Sequence, residues 1–553
     1  MTKRTNKVRL YIILFFILLF FLFSKNLVNF HISNKDNTKS EQLKLKKDFL
    51  INQNDTMFEM INVSNFGGAY EGKNVFMMFC IDQETKEWIY YILITDMEGN
   101  IEVKRKLNIS TNLTIEWINS TTLMYGEGFN LVLWNIYENK TDVLDFFGHH
   151  DYEYNPVNNT FFTFQRQTLI FENETYLFDN IIEYNRAGEI VWFLNTSSFI
   201  NYTQWCPFHD MGLYSNFKRD LTHSNSLFFD VEDDIIYINV RNVNTFYNIN
   251  HTTKEVIWGL GEYGNFTLFD KNGKEMQNLF YHAHAVEKID ENTFIIFDND
   301  YHNQTNPENH GSRLIEINVD ETTMTANETW SWVSPRNYYA TAFGDADLLP
   351  NNNRLGTFGG WEANSSISIG TRLVEVNETG QIVWEMDFNL TENYAWKVNR
   401  MERFRYTPIL NSPENLVIVE DQSISINWTA WYNFRSKQRI NGSYTLNLND
   451  SLIQSGIHTF DKFWRSTDLT FDSYNLDILK NLKAGSYNLT LVLSDEAGHK
   501  TYDSVYITVL PGNDRGIGYP LFIFFNFLLI LGLLSAFTLK RFNKRSKTIT
   551  IRL

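Results

Sequence analysis

Four stretches in the middle of this chain place histidines, carboxylates and amides at matching positions. They are Gly148-His149-His150-Asp151, Thr222-His223-Ser224-Asn225, His282-Ala283-His284-Ala285 and Phe343-Gly344-Asp345-Ala346-Asp347. An imidazole can be a nucleophile when neutral and an acid when protonated, and it changes between the two near neutral pH. Arginine supplies a permanent charge whose fork geometry suits oxyanions. Arg241 and Arg313 lie on neighbouring segments of the same region. Such a set holds the residue types that transfer of an oxyanion group needs: a nucleophile, an acid and a cationic cradle.

Something must carry these stretches to one place. Each is followed, about ten residues later, by a turn and a short apolar strand, a spacing that marks a repeat architecture. The predicted strands are Thr160 to Phe164, Ile235 to Val240, Phe294 to Phe297 and Leu355 to Phe358. Six segments also share one hairpin form: Ile89–Lys106, Leu131–Phe147, Ile181–Phe193, Phe246–Gly259, Leu314–Trp332 and Leu373–Met386. The ending Ile190-Val191-Trp192 recurs as Val256-Ile257-Trp258 and Ile382-Val383-Trp384. Hairpins recurring at about 40–70 residues predict an all-β six-bladed β-propeller over residues 54–411. The inner strands are expected to be those that follow the polar stretches, with the site on the propeller axis.

Residues 412–511 alternate differently, with strands predicted at Ser423–Trp428, Ser443–Leu448, Ser486–Leu493 and Asp503–Val509. They read as an immunoglobulin-like β-sandwich without its disulfide, acting as a spacer. The chain of 553 residues has a net charge of -17, which argues against nucleic-acid binding. Its positive charge collects at the ends. Leu10 to Phe23 is an apolar run behind Lys3, Arg4, Lys7 and Arg9, a signal anchor or signal peptide within residues 1–30. Residues 31–53 read as a polar stalk. Residues 517–539 are long enough to span a membrane, and the basic tail 540–553 follows. Positive residues stay on the cytoplasmic side, which puts both tails inside and the main domains outside the cell membrane. About twenty Asn-x-Ser/Thr sites between Asn54 and Asn488 fit a glycosylated surface domain or reflect the high Asn content. Cys80 and Cys206, the two cysteines, either pair or stay as buried thiols.

The run Asp220-Leu221-Thr222-His223-Ser224-Asn225-Ser226, with Glu232-Asp233-Asp234-Ile235-Ile236 and Arg241 after it, resembles an inner-strand motif of the arylsulfotransferase (ASST) family. His282-Ala283-His284-Ala285, ending in Phe297-Asp298-Asn299, resembles a second such motif. Ser312-Arg313-Leu314-Ile315-Glu316-Ile317 resembles its arginine-bearing strand, and Asp347-Leu348-Leu349-Pro350 the strand after it. The family consists of six-bladed propellers that move a sulfuryl group between phenols through a histidine. The resemblance implies His223, His284 and Arg313 as catalytic residues, with Asn225, His282 and Arg241 binding substrate. His149, His150 and Asp345 complete the expected pocket. It implies an aryl sulfate donor and a phenolic acceptor, and no cofactor. The chain departs from the family pattern downstream of the arginine strand, where a nucleophilic histidine is expected: none occurs between His310 and His458. His284 is left as the nucleophile.

Two other readings stay open. His282 and His284 at i, i+2 on a strand share a face, and with His223 and Asp345 could bind Zn²⁺ for hydrolysis. Alternatively the polar residues only satisfy backbone groups around the channel of a binding or adhesion propeller. His31, His251, His302, His458 and His499 are read as surface histidines.

Overall fold

The computed structural model describes residues 61–512, except 82–84, 109–113, 129, 207–212, 215–217, 303–309, 336–337, 360–370, 389–395 and 412. The expected signal segment, stalk, membrane span and basic tail lie outside the described residues. Among the described residues, no helix is long and apolar enough to cross a membrane. Among the described residues, strands make up 61% and helices 3%, so the described part is all-β.

Six sheets each place one strand innermost; in five of them it precedes the three strands outside it in the chain, and in the sixth it comes after them. These inner strands are Ile115–Asn119, His149–Asn155, Ser224–Asp230, His284–Asp290, Asp345–Leu348 and Lys397–Phe404. From the second to the sixth sheet each inner strand touches the next, and the sixth touches the first. The first and second are tied by the Tyr152 N–H, which donates to Thr114 Oγ1 at 2.9 Å. Within each sheet the next three strands run outward antiparallel. All six predicted hairpins are the third and fourth strands of a sheet. The apolar strands predicted as innermost are instead the second strands, and the polar stretches themselves open the inner ones. The reason is local: a stretch such as His223-Ser224-Asn225 pairs on one side only and leaves its other side to the centre.

The first described strands complete the last two sheets. Ile61–Asn65 pairs with Ile382–Phe388. Lys73–Ile81 pairs with Lys397–Phe404 and continues outward through Trp88–Thr95 and Ile101–Leu107. Large apolar side chains fill the spaces between sheets, with Trp134, Trp258 and Trp384 at the fourth strands or beside them fully buried. Burial of aromatic area of this size is the main stabilising term.

Beyond residue 404 the chain builds a three-stranded sheet (Ile409–Asn411, Ser425–Trp431, Thr467–Asp472) and a five-stranded one (Leu416–Val419, Ile440–Leu448, Ser451–Phe460, Gly485–Ser494, Lys500–Leu510). This unit is packed against the other sheets rather than separate from them. Phe434 packs at 4.7 Å from Trp117 and stacks on Phe404 at 5.3 Å and 12°. One core runs without a break from the first and sixth sheets into this unit. His458 and His499, read as surface residues, are buried in it. His499 Nδ1 lies 2.7 Å from Asp495 Oδ2, and burial lowers His458 to about 4. His251 is also not a surface residue: it is half-buried between Glu183 and Asp234, at 2.9 and 2.8 Å.

Candidate functional site

The polar stretches share a backbone signature. His150, His223, His282 and Phe343 have φ of 64°, 45°, 52° and 64°. Non-glycine residues in this left-handed region are uncommon, and each costs on the order of 1–3 kcal/mol unless the surroundings impose it. One such residue precedes or opens each of four successive inner strands, so the repeat read from the sequence is also a repeat of backbone shape.

Three imidazoles meet across the second and third sheets. His149 Nδ1 lies 2.6 Å from His150 Nδ1, and His150 Nε2 lies 3.3 Å from His223 Nε2. Carboxylates close both ends. His223 Nδ1 is 2.6 Å from Asp220 Oδ2. His149 Nε2 is 3.1 Å from Asp179 Oδ1 but out of hydrogen-bond alignment, and both buried atoms are left without a hydrogen-bond partner. Asp179 is fixed by the Thr222 hydroxyl at 2.8 Å and the Ser224 N–H at 2.7 Å. Burial, then the charges of His223 and His149, push His150 well below the usual histidine range.

His284 opens the inner strand of the fourth sheet and is buried. Its Nδ1 lies 2.6 Å from Asn299 Oδ1. The Asn299 amide donates to the Ala340 and Phe343 carbonyls at 2.8 and 2.7 Å, which fixes the amide's orientation. Oδ1 is therefore the acceptor, Nδ1 of His284 carries the hydrogen, and Nε2 carries the lone pair. Burial, then Arg241, holds His284 well below its ordinary value, so it is a neutral imidazole with one tautomer. Arg241 donates to Asn242 Oδ1 at 2.8 Å and the Thr341 carbonyl at 3.2 Å. His223 and Arg400 also act on the charge of His284, so these groups form one cluster.

The remaining predicted residues take other places. Arg313 sits on the third strand of the fourth sheet, where it pairs with Asp298 at 2.8 Å and Glu328 at 3.4 Å and donates to the Leu279 carbonyl. Asp298 in turn accepts from the Tyr281 N–H at 2.9 Å, so Arg313 braces the segment leading into His282. The His282 N–H donates to Asn244 Oδ1 at 2.9 Å, and its side chain is buried. Asn225 donates to the Ala283 carbonyl at 2.9 Å and accepts from Asn239 at 2.7 Å, tying the third sheet to the fourth. Asp345 accepts from the Met401 N–H at 3.3 Å; burial raises it to about 6 against the opposing pull of Arg400.

Asp179, Asp220, Asn299 and Arg400 were not singled out from the sequence. Asp220 and Asn299 stand inside the motifs quoted above, where spacing alone did not mark them as partners of histidines. Arg400 lies on the sixth inner strand, which has no matching polar stretch. It forms a bidentate pair with Asp151 at 2.8 and 2.7 Å.

A few residues further along the same strands stands a ring of carboxylates: Glu116, Glu153, Glu287, Asp347 and Glu402, one from each of five inner strands. Two cations from the C-terminal unit enter it. Arg435 pairs with Glu287, with Asp347 at 3.2 Å and with Glu402 at 3.4 Å. Lys437 pairs with Glu116 at 2.8 Å and Glu153 at 2.6 Å. The third strand, which lacks an acid here, offers Phe228, and Lys437 lies 5.0 Å from its ring centre. Burial raises Glu402 to about 8 and Glu153 and Asp347 well above the carboxylate range. Among the described residues, no group of three or more His, Cys, Asp or Glu is arranged to hold a metal ion. Cys80 and Cys206 are both buried thiols.

No curated protein matches this sequence. Similar solved structures include the extracellular domain of a B. thetaiotaomicron protein described as a hybrid two component system, with 10% identity, coverage of 82% of this chain and 58% of that one, and a TM-score of 0.28. The chain thus spans less than two thirds of that relative. Another is the periplasmic gluconolactonase of Pseudomonas aeruginosa, with 8% identity, coverage of 59% and 100%, and a TM-score of 0.28. The family model for arylsulfotransferase (ASST) matches residues 35–398, well over half of the sequence. The chain belongs to the arylsulfotransferase family.

Proposed function

We propose that this protein is an extracytoplasmic, membrane-anchored enzyme that moves a sulfuryl group from an aryl sulfate to a phenolic acceptor through His284. In this reading the six sheets are the blades of a propeller around a central channel. Residues 412–511 are immunoglobulin-like, and residues 1–30 and 517–539 hold the protein in the membrane with both tails cytoplasmic. The observation that carries the proposal is the fixed tautomer of His284: a neutral imidazole with its Nε2 lone pair available, in one cluster with Arg241 and Arg400.

His284 Nε2 attacks the sulfur, the N–S bond forms, and the S–O(aryl) bond breaks with its electron pair leaving on the phenolate oxygen. Arg241 and Arg400 stabilise the sulfuryl oxygens, where charge builds up in the transition state. His223 protonates the departing phenolate and later takes the proton of the acceptor phenol, whose oxygen displaces the histidine. In this reading Arg313, expected from the resemblance to be catalytic, acts as a brace behind His282 and His284. His149, His150 and Asp345 border the cluster, while Asn225 and His282 hold its walls.

The missing histidine between His310 and His458 favours a second reading, a surface-binding propeller that keeps the pocket without catalysis. Purified full-length protein, given a chromogenic aryl sulfate with and without a phenol acceptor and with and without a chelator, separates the readings. Acceptor-stimulated, chelator-resistant turnover that falls by about 10³-fold or more in His284→Ala supports the sulfotransferase. Turnover that survives His284→Ala removes the nucleophile assignment. Chelator-sensitive, acceptor-independent release indicates a metal-dependent hydrolase, and no turnover with any donor indicates the binding protein.

A further inference from the structure

We propose that Arg435 and Lys437 of the C-terminal unit form a charged floor beneath the candidate site and keep Arg400 available to an anionic substrate. Two tiers of charge lie one beyond the other in the space enclosed by the inner strands. The upper tier is Arg400 with Asp151 and Asp345. Arg400 pairs with Asp151 at 2.8 and 2.7 Å, and its charge acts on Asp345 against the effect of burial. The lower tier starts two residues further along the same three strands, at Glu153, Asp347 and Glu402, and is completed by Glu116 and Glu287. Asp345 and Asp347 show the geometry: alternate residues of a strand face one side. One cavity of about 40 Å³ joins the tiers, lined by Asp345, Asp347, Arg400, Glu402, Arg435 and Lys437 among others. That space suits about three water molecules and no aryl group. The floor therefore acts on a substrate through its field and through Arg400, not by contact.

The balance of the two tiers decides what Arg400 can do. Seven carboxyl groups, those of Asp151, Asp345 and the acidic ring, face three cations. Arg435 engages Glu287, Asp347 and Glu402, and Lys437 engages Glu116 and Glu153, so every acid of the lower tier has a cation from the C-terminal unit. Without those two side chains, Arg400 is the one cation left among the residues lining the cavity. Its charge then serves protein carboxylates, and an incoming anion meets a negative wall. Charges in such a poorly solvated space act on one another across it without touching. Protons relieve part of the excess, since burial raises Asp345 to about 6 and Glu402 to about 8. A proton on a carboxyl removes a negative charge but supplies no positive one, and an anion needs the latter.

The floor is held firmly. The Arg435 guanidinium lies 4.1 Å from the centre of the Phe463 ring and donates to the Leu348 carbonyl at 2.7 Å. The Phe463 N–H donates to the Ser436 carbonyl at 2.8 Å. The Tyr432 hydroxyl donates to Glu496 at 2.7 Å, and Glu496 also accepts from the Ser120 hydroxyl of the first sheet at 2.7 Å. The family model ends at residue 398, so the floor belongs to a part of the chain that the family does not describe.

The proposal rests on the anionic donor of the sulfotransferase reading, so its test measures binding apart from turnover. The probe is naphthalenesulfonate, an aryl sulfonate whose carbon–sulfur bond does not transfer, titrated by calorimetry into the full-length protein. Arg435→Gln and Lys437→Gln should each weaken its binding about 10-fold. Arg435→Gln combined with Glu287→Gln removes one charge of each sign and should bring affinity back to within about 3-fold of the parent. Lys437→Gln combined with Glu116→Gln should do the same, and this second pair carries the test where Arg435→Gln does not fold. Unchanged affinity in the single variants, or a double variant no better than its single, overturns the floor and leaves the two cations a packing role alone. Turnover of a chromogenic aryl sulfate separates this result from the reading beneath it. A parent that binds the sulfonate, loses it in the single variants and turns over no donor keeps the floor and removes the sulfotransferase. A parent that turns over, with KM unchanged in the single variants, keeps the sulfotransferase and removes the floor. A parent that binds no sulfonate removes both.

Discussion

His284 illustrates how one amide sets the chemistry of a side chain. Two carbonyls orient Asn299, Asn299 selects the tautomer of His284, and the tautomer leaves Nε2 bare. Replacing the amide with a carboxylate reverses the charge preference. Asn299→Asp places a negative charge where Oδ1 stands, favours the imidazolium and raises the His284 pKa. The neutral nucleophile then exists only at higher pH, so the acidic limb of the pH–rate profile should move up by about one unit or more. A profile that does not move shows that His284 is not the group that must be neutral. His223 and His284 were legible because their motifs are local in sequence. Arg313 and Asn225 were legible as types of chemistry but not as positions: their ion pairs and amide contacts involve strands that spacing does not identify. Arg400 was invisible because its partner, Asp151, lies 249 residues away.

At the scale of the element, the hairpins could be read and the inner strands could not. A hairpin carries its turn and both of its apolar faces within about twenty residues. An inner strand is short, polar on one side and paired on the other, so periodicity points past it to the second strand. What marks four of the six is the left-handed residue at or near the start. In the fifth sheet this is Phe343, followed by Gly344 at φ 141°, where a Cβ would overlap the Phe297 ring. Gly344→Ala combines a backbone that L-residues avoid with a clash against a buried ring, and should cost about 2–4 kcal/mol. Thermal or denaturant unfolding measures this. A loss below about 1 kcal/mol would mean that the inner strand can shift outward without harm.

Over the whole molecule, the C-terminal unit closes the acidic ring. Two cations meet five carboxylates, so protons make up part of the balance, and burial leaves Glu402 at about 8. A carboxyl whose folded value lies above its unfolded one binds its proton more tightly when folded. Its contribution is therefore largest below the unfolded value and is lost as pH rises through the folded one. The stability of the protein should fall between about pH 5 and pH 8 on this account, and Glu402→Gln should flatten that fall. A pH dependence identical in the variant and the parent would show that Glu402 does not titrate in this window. Arg435→Ala leaves Glu287, Asp347 and Glu402 facing one another and should destabilise by about 3–5 kcal/mol, as removal of one partner from a buried ion pair does. The sequence showed a second β unit here but not its docking, because the ring and the two cations are assembled from six separate segments.

The pairing of the first strands with the last also has a consequence in time. Asn62 meets Asp387 across 325 positions. A ribosome adding about 5–20 residues per second makes that stretch in roughly 15–65 seconds. Throughout that interval Lys73–Ile81, with eight of its nine residues apolar or amide, has no inner partner, because Lys397–Phe404 does not yet exist. A nascent chain that stalls before residue 397 exposes an open apolar edge of the kind that pairs with other chains. Early docking of Lys73–Ile81 therefore waits on synthesis of residues more than 300 positions away.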